Sequence, residues 1–275
     1  MALRINTNVA AINAHRQLLG TESKMNASME KLSSGYRINR ASDDAAGLAI
    51  ANRLRTNTKS LTVASRNVTE GKALLQIAEG SANKVEDILE RMKELATQAA
   101  SANTSTTDKS KINAEFAALK SEITRIVDDT KYQGTALLDG NFSGTFQVGS
   151  TNTSSAQINI SISALSLTSL GLNDADDIVD TAAHAQGALT TIDSAIDTLA
   201  TVLGNIGAGM NRLDYTYSNL QVQIENFSAA ESAIRDVDMA SEMVTFTKSQ
   251  ILMQAGTAML SQANMASQNV LSLFG

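Results

Sequence analysis

Leu252, Gly256, Met259, Ala263, Ala266, Val270 and Leu273 follow an unbroken 4-3-4-3 spacing. That is the seam of a coiled coil, with small residues where two helices must come close. Near the other end, Ile5, Val9, Ile12 and Leu19 begin a similar stripe, and Met25, Met29 and Leu32 continue it. A helix with one narrow apolar stripe has no core of its own and needs a partner. The two ends are therefore expected to pair with each other, in a long rod folded back at its middle. Stripes left over are candidates for contact with further copies of the same chain.

The segments between the ends support this reading. Leu54, Leu61, Val68 and Leu75 recur every seven residues, and Leu75, Ala78, Ala82, Val85, Leu89, Met92 and Ala96 keep a strict 3-4 spacing. They predict one helix from about 43 to 100. The chain has no proline, the residue that breaks helix interiors. Only 4% of residues are aromatic and none is Trp, which suits slender bundles more than a large globular core.

A first helix, from about 6 to 32, is expected to stop at Ser33-Ser34-Gly35, with Gly35 left-handed. Ser42, Asp43 and Asp44 suit the start of the second helix. Ser101 to Thr107 reads as a turn, and Asp108 as the cap of a third helix carrying Ile112, Phe116, Leu119, Ile123 and Ile126. From Gly134 to Asp176 the chain turns to Gly, Ser, Thr and Asn. Within it, 145–148 and 157–162 alternate with period two and predict a hairpin. Helical pattern resumes near Ala175 and continues to the end through Leu213, Tyr217, Leu220, Ile224, Phe227 and Ile234. The expected fold is mainly α: an elongated antiparallel helical rod or coiled coil, N- and C-termini together, with a small β-hairpin tip.

Charge and composition exclude several functions. A net charge of −6 argues against a phosphate-binding surface, so no nucleic acid is expected. After Asp238 the only basic residue is Lys248, unlike a basic membrane-surface helix. No apolar run approaches the roughly 20 residues of a membrane span, and no membrane partner is expected. The first residues lack the apolar core of a signal peptide. With no Cys, disulfides and thiolate chemistry are excluded.

Nothing amounts to an active site. Adjacent carboxylates on a helix diverge by about 100°, so Asp43-Asp44 and Asp176-Asp177 read as caps, not catalytic dyads. His15 and His184 have no second ligand at metal spacing. Gly204, Gly207 and Gly209 lack the strand and the Lys of a phosphate loop and read as close helix packing. The ten methionines sit mostly on helical seams, where Met fills gaps. No enzyme activity, cofactor or metal is expected. Hydroxyls of the middle segment could accept O-linked sugars, and a merely soluble loop explains them equally well.

Four stretches carry a specific resemblance: INTNVAAINAHRQL at the start, LSSGYRINRASDDAAGLAI over 32–50, RNVTEGKALLQIAEG over 66–80, and DMASEMVTFTKSQILMQAGTAMLSQANMASQNVLSLFG at the end. Together they closely resemble bacterial flagellin, over about the first 140 and last 90 residues. Ser267 stands where the family often has proline, and Ala233 where Arg is common. Neither removes an apolar seam position, so assembly is expected to survive.

The resemblance implies an extracellular subunit of the motile flagellar filament, exported without a cleavable signal peptide. It implies that 1–40 and 236–275 form the inner coiled-coil layer, 41–140 and 176–235 a helical rod outside it, and 141–175 a short outward insertion. The assembly seam would be Ile5, Val9, Ile12, Leu19, Leu252, Gly256, Met259, Ala263, Ala266, Val270 and Leu273. The termini would be disordered in the monomer and fold on polymerisation. Implied partners are other copies of the chain, an export chaperone at the C-terminal helix, and cap and hook-associated proteins. A Toll-like receptor would read Arg91, Leu95 and Glu115, although Lys93 replaces a common Arg. Other readings are a hook-filament junction protein, which usually has a longer middle, and a signalling coiled coil, which needs a membrane span or longer heptad array. An enzyme is the third, but 141–175 holds no His, Cys, Glu, Lys or Arg.

Overall fold

The computed structural model describes residues 7–173 and 179–271, with side chains of the last helix described as far as Met265. The helices are α1 (Val9–Ser34), α2 (Ala45–Ala100), α3 (Thr106–Asp129), α4 (Ala182–Arg235) and α5 (Met239–Leu271). Two short antiparallel pairs accompany them: β1 (Lys131–Tyr132) with β2 (Thr135–Ala136), and β3 (Ser143–Gln147) with β4 (Gln157–Ser161). The fold is mainly α, as the sequence predicts. The chain divides into one unit of residues 1–57 and 225–275 and another of 58–224.

The 58–224 unit has a conventional core. Leu75, Ala78, Ala82, Val85, Leu89, Met92 and Ala96, the predicted stripe of α2, are all fully buried. Ile192, Ala195, Leu199, Val202 and Ile206 of α4 and Ile112, Phe116, Ile123 and Val127 of α3 are buried as well. Cross-contacts fix α2 and α4 as antiparallel. Gln221 Nε2 donates to Ser65 Oγ at 3.0 Å, Lys72 pairs with Asp214 at 2.7 Å and Lys93 with Asp193 at 2.6 Å. Of the three glycines expected to pack closely, only Gly209 meets a neighbour, where a Cβ would lie 3.2 Å from Leu75 Cδ1; Gly204 and Gly207 face open space. Tyr217, expected on the apolar face, is 41% exposed.

The hairpin forms where period-two alternation predicts it, with Phe146 opposite Ile158 and Gly144 opposite Ile160. Ile158, Ile160 and Ile162 point inward. The smaller β1–β2 hairpin was not expected. It turns through Gln133 at φ +50° and Gly134 at φ +84°, the geometry that suits a two-residue hairpin turn.

Two helix starts differ from expectation. Ser105, not Asp108, caps α3: its Oγ accepts from Asp108 N at 3.2 Å and donates to Asp108 Oδ2 at 2.7 Å. Asp108 thus supports the cap by accepting from the capping hydroxyl. The expected continuous C-terminal helix is broken at 236–238. Asp238 Oδ1 accepts from Ala240 N at 3.0 Å and Ser241 N at 3.2 Å, which caps a new helix. At the start of α2, Asp44 Oδ1 accepts from Gly47 N at 2.8 Å, and Asp43 Oδ2 from Arg40 N at 2.9 Å and Asn39 N at 3.1 Å. Asp44 caps α2 as expected, whereas Asp43 does not: it holds the turn before the helix. Asp176 and Asp177 lie outside the described residues.

Candidate self-association surface

The 1–57/225–275 unit is built from the α1–α5 pair. Three contacts set their antiparallel direction. Asn8 Nδ2 donates to Ala263 O at 2.9 Å. Gly256 faces Leu18, with 3.2 Å between an added Cβ and Leu18 Cδ1. Ser28 Oγ donates to Glu242 Oε1.

Around these contacts the less exposed positions run Ala11, Ala14, Leu18, Thr21, Met25 and Ser28 on α1. On α5 they run Glu242, Phe246, Ser249, Met253, Gly256, Leu260 and Ala263, a perfect 4-3 repeat. This is a thin seam of small, polar and a few large residues. Ser28 and Ser249 are its buried members, and each hydroxyl donates, Ser28 to Glu242 and Ser249 to Thr245 O at 2.9 Å.

The seam within the chain is therefore not the stripe read from the sequence. Gly256 and Ala263 belong to it. Val9, Ile12, Leu19, Leu252 and Met259 are 53%, 51%, 53%, 49% and 63% exposed. Each helix carries apolar residues on more than one face, and the bulkier set is left outside. Ile5 and Leu273, and the side chains of Ala266 and Val270, lie outside the described residues.

The exposed set is extensive. Met243, Val244, Ile251 and Leu252 line one shallow apolar groove with Thr247 and Lys248. Of the buried apolar residues described, only Ile38 and Ala51 belong to this unit, whereas most of the exposed large ones do. Ordinary folded domains invert that balance, and a contiguous exposed apolar surface marks an interaction site.

A joint closes the pair. α1 ends at Gly35, left-handed at φ +75°, whose N–H returns to Lys31 O. Tyr36 bridges Asp236 in antiparallel fashion. Arg37 N donates to Arg235 O at 2.7 Å and Val237 N to Gly35 O at 3.0 Å, while the Arg37 side chain donates to Ile234 O. The Arg235 guanidinium lies 4.2 Å over the Tyr36 ring, an attractive cation–π placement.

The second candidate surface lies in the 58–224 unit. Arg91 Nε and Nη2 reach Glu115 Oε1 at 3.0 and 2.9 Å, and Nη1 reaches Glu94 Oε2 at 2.8 Å. Hydrogen bonds to Glu94, then Glu115, hold the guanidinium's pKa above its ordinary value. Arg91 and Glu115 are thus brought together at the surface. Leu95 is not with them: it is 2% exposed and packs inward. It follows Met92 by three residues, so helical periodicity alone places it on the core face. Among the described residues no group of three His, Cys, Asp or Glu could hold a metal ion. No helix among them is long and apolar enough to cross a membrane. His184 Nδ1 lies 2.6 Å from Asp180 Oδ1.

Comparison with known proteins identifies the family of both helical regions. Residues 5–143 match the bacterial flagellin N-terminal helical region and residues 189–274 the bacterial flagellin C-terminal helical region. The chain is 40% identical to a flagellin of Bacillus subtilis (strain 168), over 98% of this chain and 99% of that protein. It is 43% identical to a flagellin of Halalkalibacterium halodurans, with 98% of each covered. The crystal structure of Bacillus cereus flagellin superposes with a TM-score of 0.50 at 28% identity, over 60% of this chain and 94% of that one. With both helical regions matched and near-complete coverage of its relatives, this chain belongs to the bacterial flagellin family and is a structural subunit of the flagellar filament.

Proposed function

We propose that the outward apolar faces of α1 and α5 are the self-assembly surface, and that these helices order only as a subunit joins the filament. One observation carries this: the α1–α5 pair buries a thin seam while leaving Val9, Ile12, Leu19, Val244, Ile251, Leu252 and Met259 exposed. Helices with so little mutual core do not offset their own ordering. Buried among neighbours, they do. Folding coupled to addition would make growth depend on a seed.

In this reading 1–40 and 236–275 form the inner layer, 41–140 and 176–235 the rod, and 141–175 a small outward insertion. The joint at Gly35–Ile38 and Ile234–Val237 supports a boundary there. The groove of Met243, Val244, Ile251 and Leu252 is the place for an export chaperone, consistent with export without a cleavable signal peptide. Cap and hook-associated proteins would meet the same terminal helices. The role is structural and not catalytic; Asp43 and Asp44 are already committed to backbone N–H groups. Recognition by a Toll-like receptor would rest on Arg91 and Glu115 without Leu95.

Seeded growth tests the proposal. Purified chain is incubated with short filament fragments and followed by electron microscopy, while amide exchange is recorded on the free subunit. Expected are seed-dependent elongation and fast exchange over α1 and α5. Deletion of 236–275 is expected to abolish elongation. Protected terminal amides in the free subunit would sink the coupled-folding part, and failure to extend seeds would sink the whole.

A further inference from the structure

The chain's methionines are distributed unevenly. Met29, Met239, Met243, Met259 and Met265 are 47%, 48%, 49%, 63% and 52% exposed. All five lie on α1 or α5. Met92, in the core of the 58–224 unit, is fully buried. With no Cys in the chain, thioethers are its most readily oxidised sulfur groups.

Peroxide oxidises a thioether by direct oxygen transfer. The sulfur lone pair attacks one peroxide oxygen, the O–O bond breaks, an S–O bond forms, and the second oxygen leaves as water. Sulfur loses two electrons and peroxide gains them. The product exchanges a flexible apolar side chain for a polar one. On a solvent-facing helix that change is nearly harmless. On a surface that a neighbour must cover, the new S–O group is buried without a partner, which opposes association.

We propose that Met29, Met239, Met243, Met259 and Met265 form a peroxide-sensitive set. Their oxidation to sulfoxide blocks subunit addition, a methionine sulfoxide reductase reverses the block, and assembly shields the sites. The proposal rests on the assembly reading above. Met243 shares its groove with Val244, Ile251 and Leu252, so a sulfoxide there puts a polar group on an apolar surface.

The test treats soluble full-length chain with hydrogen peroxide at a dose that peptide mass mapping shows to convert the five sites. Elongation of untreated seeds is then measured. Expected are intact Met92, elongation lowered at least tenfold, and recovery on incubation with a sulfoxide reductase and its reductant. A chain with these five, and Met25 and Met253 of the same helices, changed to Leu is expected to elongate equally before and after peroxide. Filaments given the same dose are expected to show less conversion at these sites. Unchanged elongation by the oxidised chain would overturn the proposal, as would loss that the reductase does not restore. Untreated chain failing to extend seeds would instead overturn the assembly reading, so the two failures are distinct.

Discussion

Gly256 and Leu18 set the spacing of the terminal helices: a Cβ on Gly256 would stand 3.2 Å from Leu18 Cδ1, tighter than ordinary contact. The absence of that one carbon lets α5 approach α1. The helix gives up about 1 kcal/mol of propensity for having Gly in place of Ala.

Gly256→Ala is therefore expected to be nearly neutral, since gained propensity offsets mild crowding. Gly256→Leu is expected to weaken the pair by about 1–3 kcal/mol through overpacking. The critical concentration for seeded growth reads this out, and Leu18→Ala in the same chain should recover part of the loss.

Core and surface leucines should separate cleanly. Leu89 is fully buried, and Leu89→Ala is expected to destabilise the free subunit by about 2–5 kcal/mol. Leu252 is 49% exposed. Leu252→Ala should leave subunit unfolding unchanged and raise the critical concentration. Equal effects on denaturant unfolding would contradict the assignment of these two positions.

The Ser105 cap of α3 gives a local test. Ser105→Ala is expected to cost about 1 kcal/mol. Hydrogen bonds from Ser105, then Lys111, hold the Asp108 carboxyl below its usual pKa. Carboxyl NMR should therefore show the Asp108 titration move upward in the variant.

Asp43 gives a pH prediction. The N–H groups of Arg40, then Asn39, lower its pKa in the folded chain. Its contribution is present above the ordinary carboxylate range and is lost as pH falls through the folded value. Amide exchange at Asn39 and Arg40 should quicken in that acidic window. Asp43→Asn should remove the pH step.

Much of the fold was legible because the 58–224 unit obeys one rule per helix. From Leu75 to Ala96, α2 has a single apolar face, and that face is the core. The terminal helices defeat the same reading. Leu252 and Met259 form as regular a stripe as Met253 and Leu260, and spacing cannot say which faces α1. The inner seam includes Ser28 and Glu242, which partner each other only once the helices are aligned, and Ser249, whose hydroxyl is satisfied within α5. Tertiary pairing also decides the break at 236–238, where Asp236 answers Tyr36. Leu95 was misplaced by likeness to a motif, when its distance from Met92 already marked it as inward.

The joint at Gly35–Ile38 and Arg235–Val237 has a consequence for counting. A heptad seam tolerates sliding: moved by one repeat, Gly256 would meet Met25 or Ala11 in place of Leu18. Backbone bonds such as Val237 N to Gly35 O, at 3.0 Å, fix the point from which both helices are numbered. Each copy then closes with the same offset. A long polymer then accumulates no error from a pairing code that, by itself, repeats every two turns.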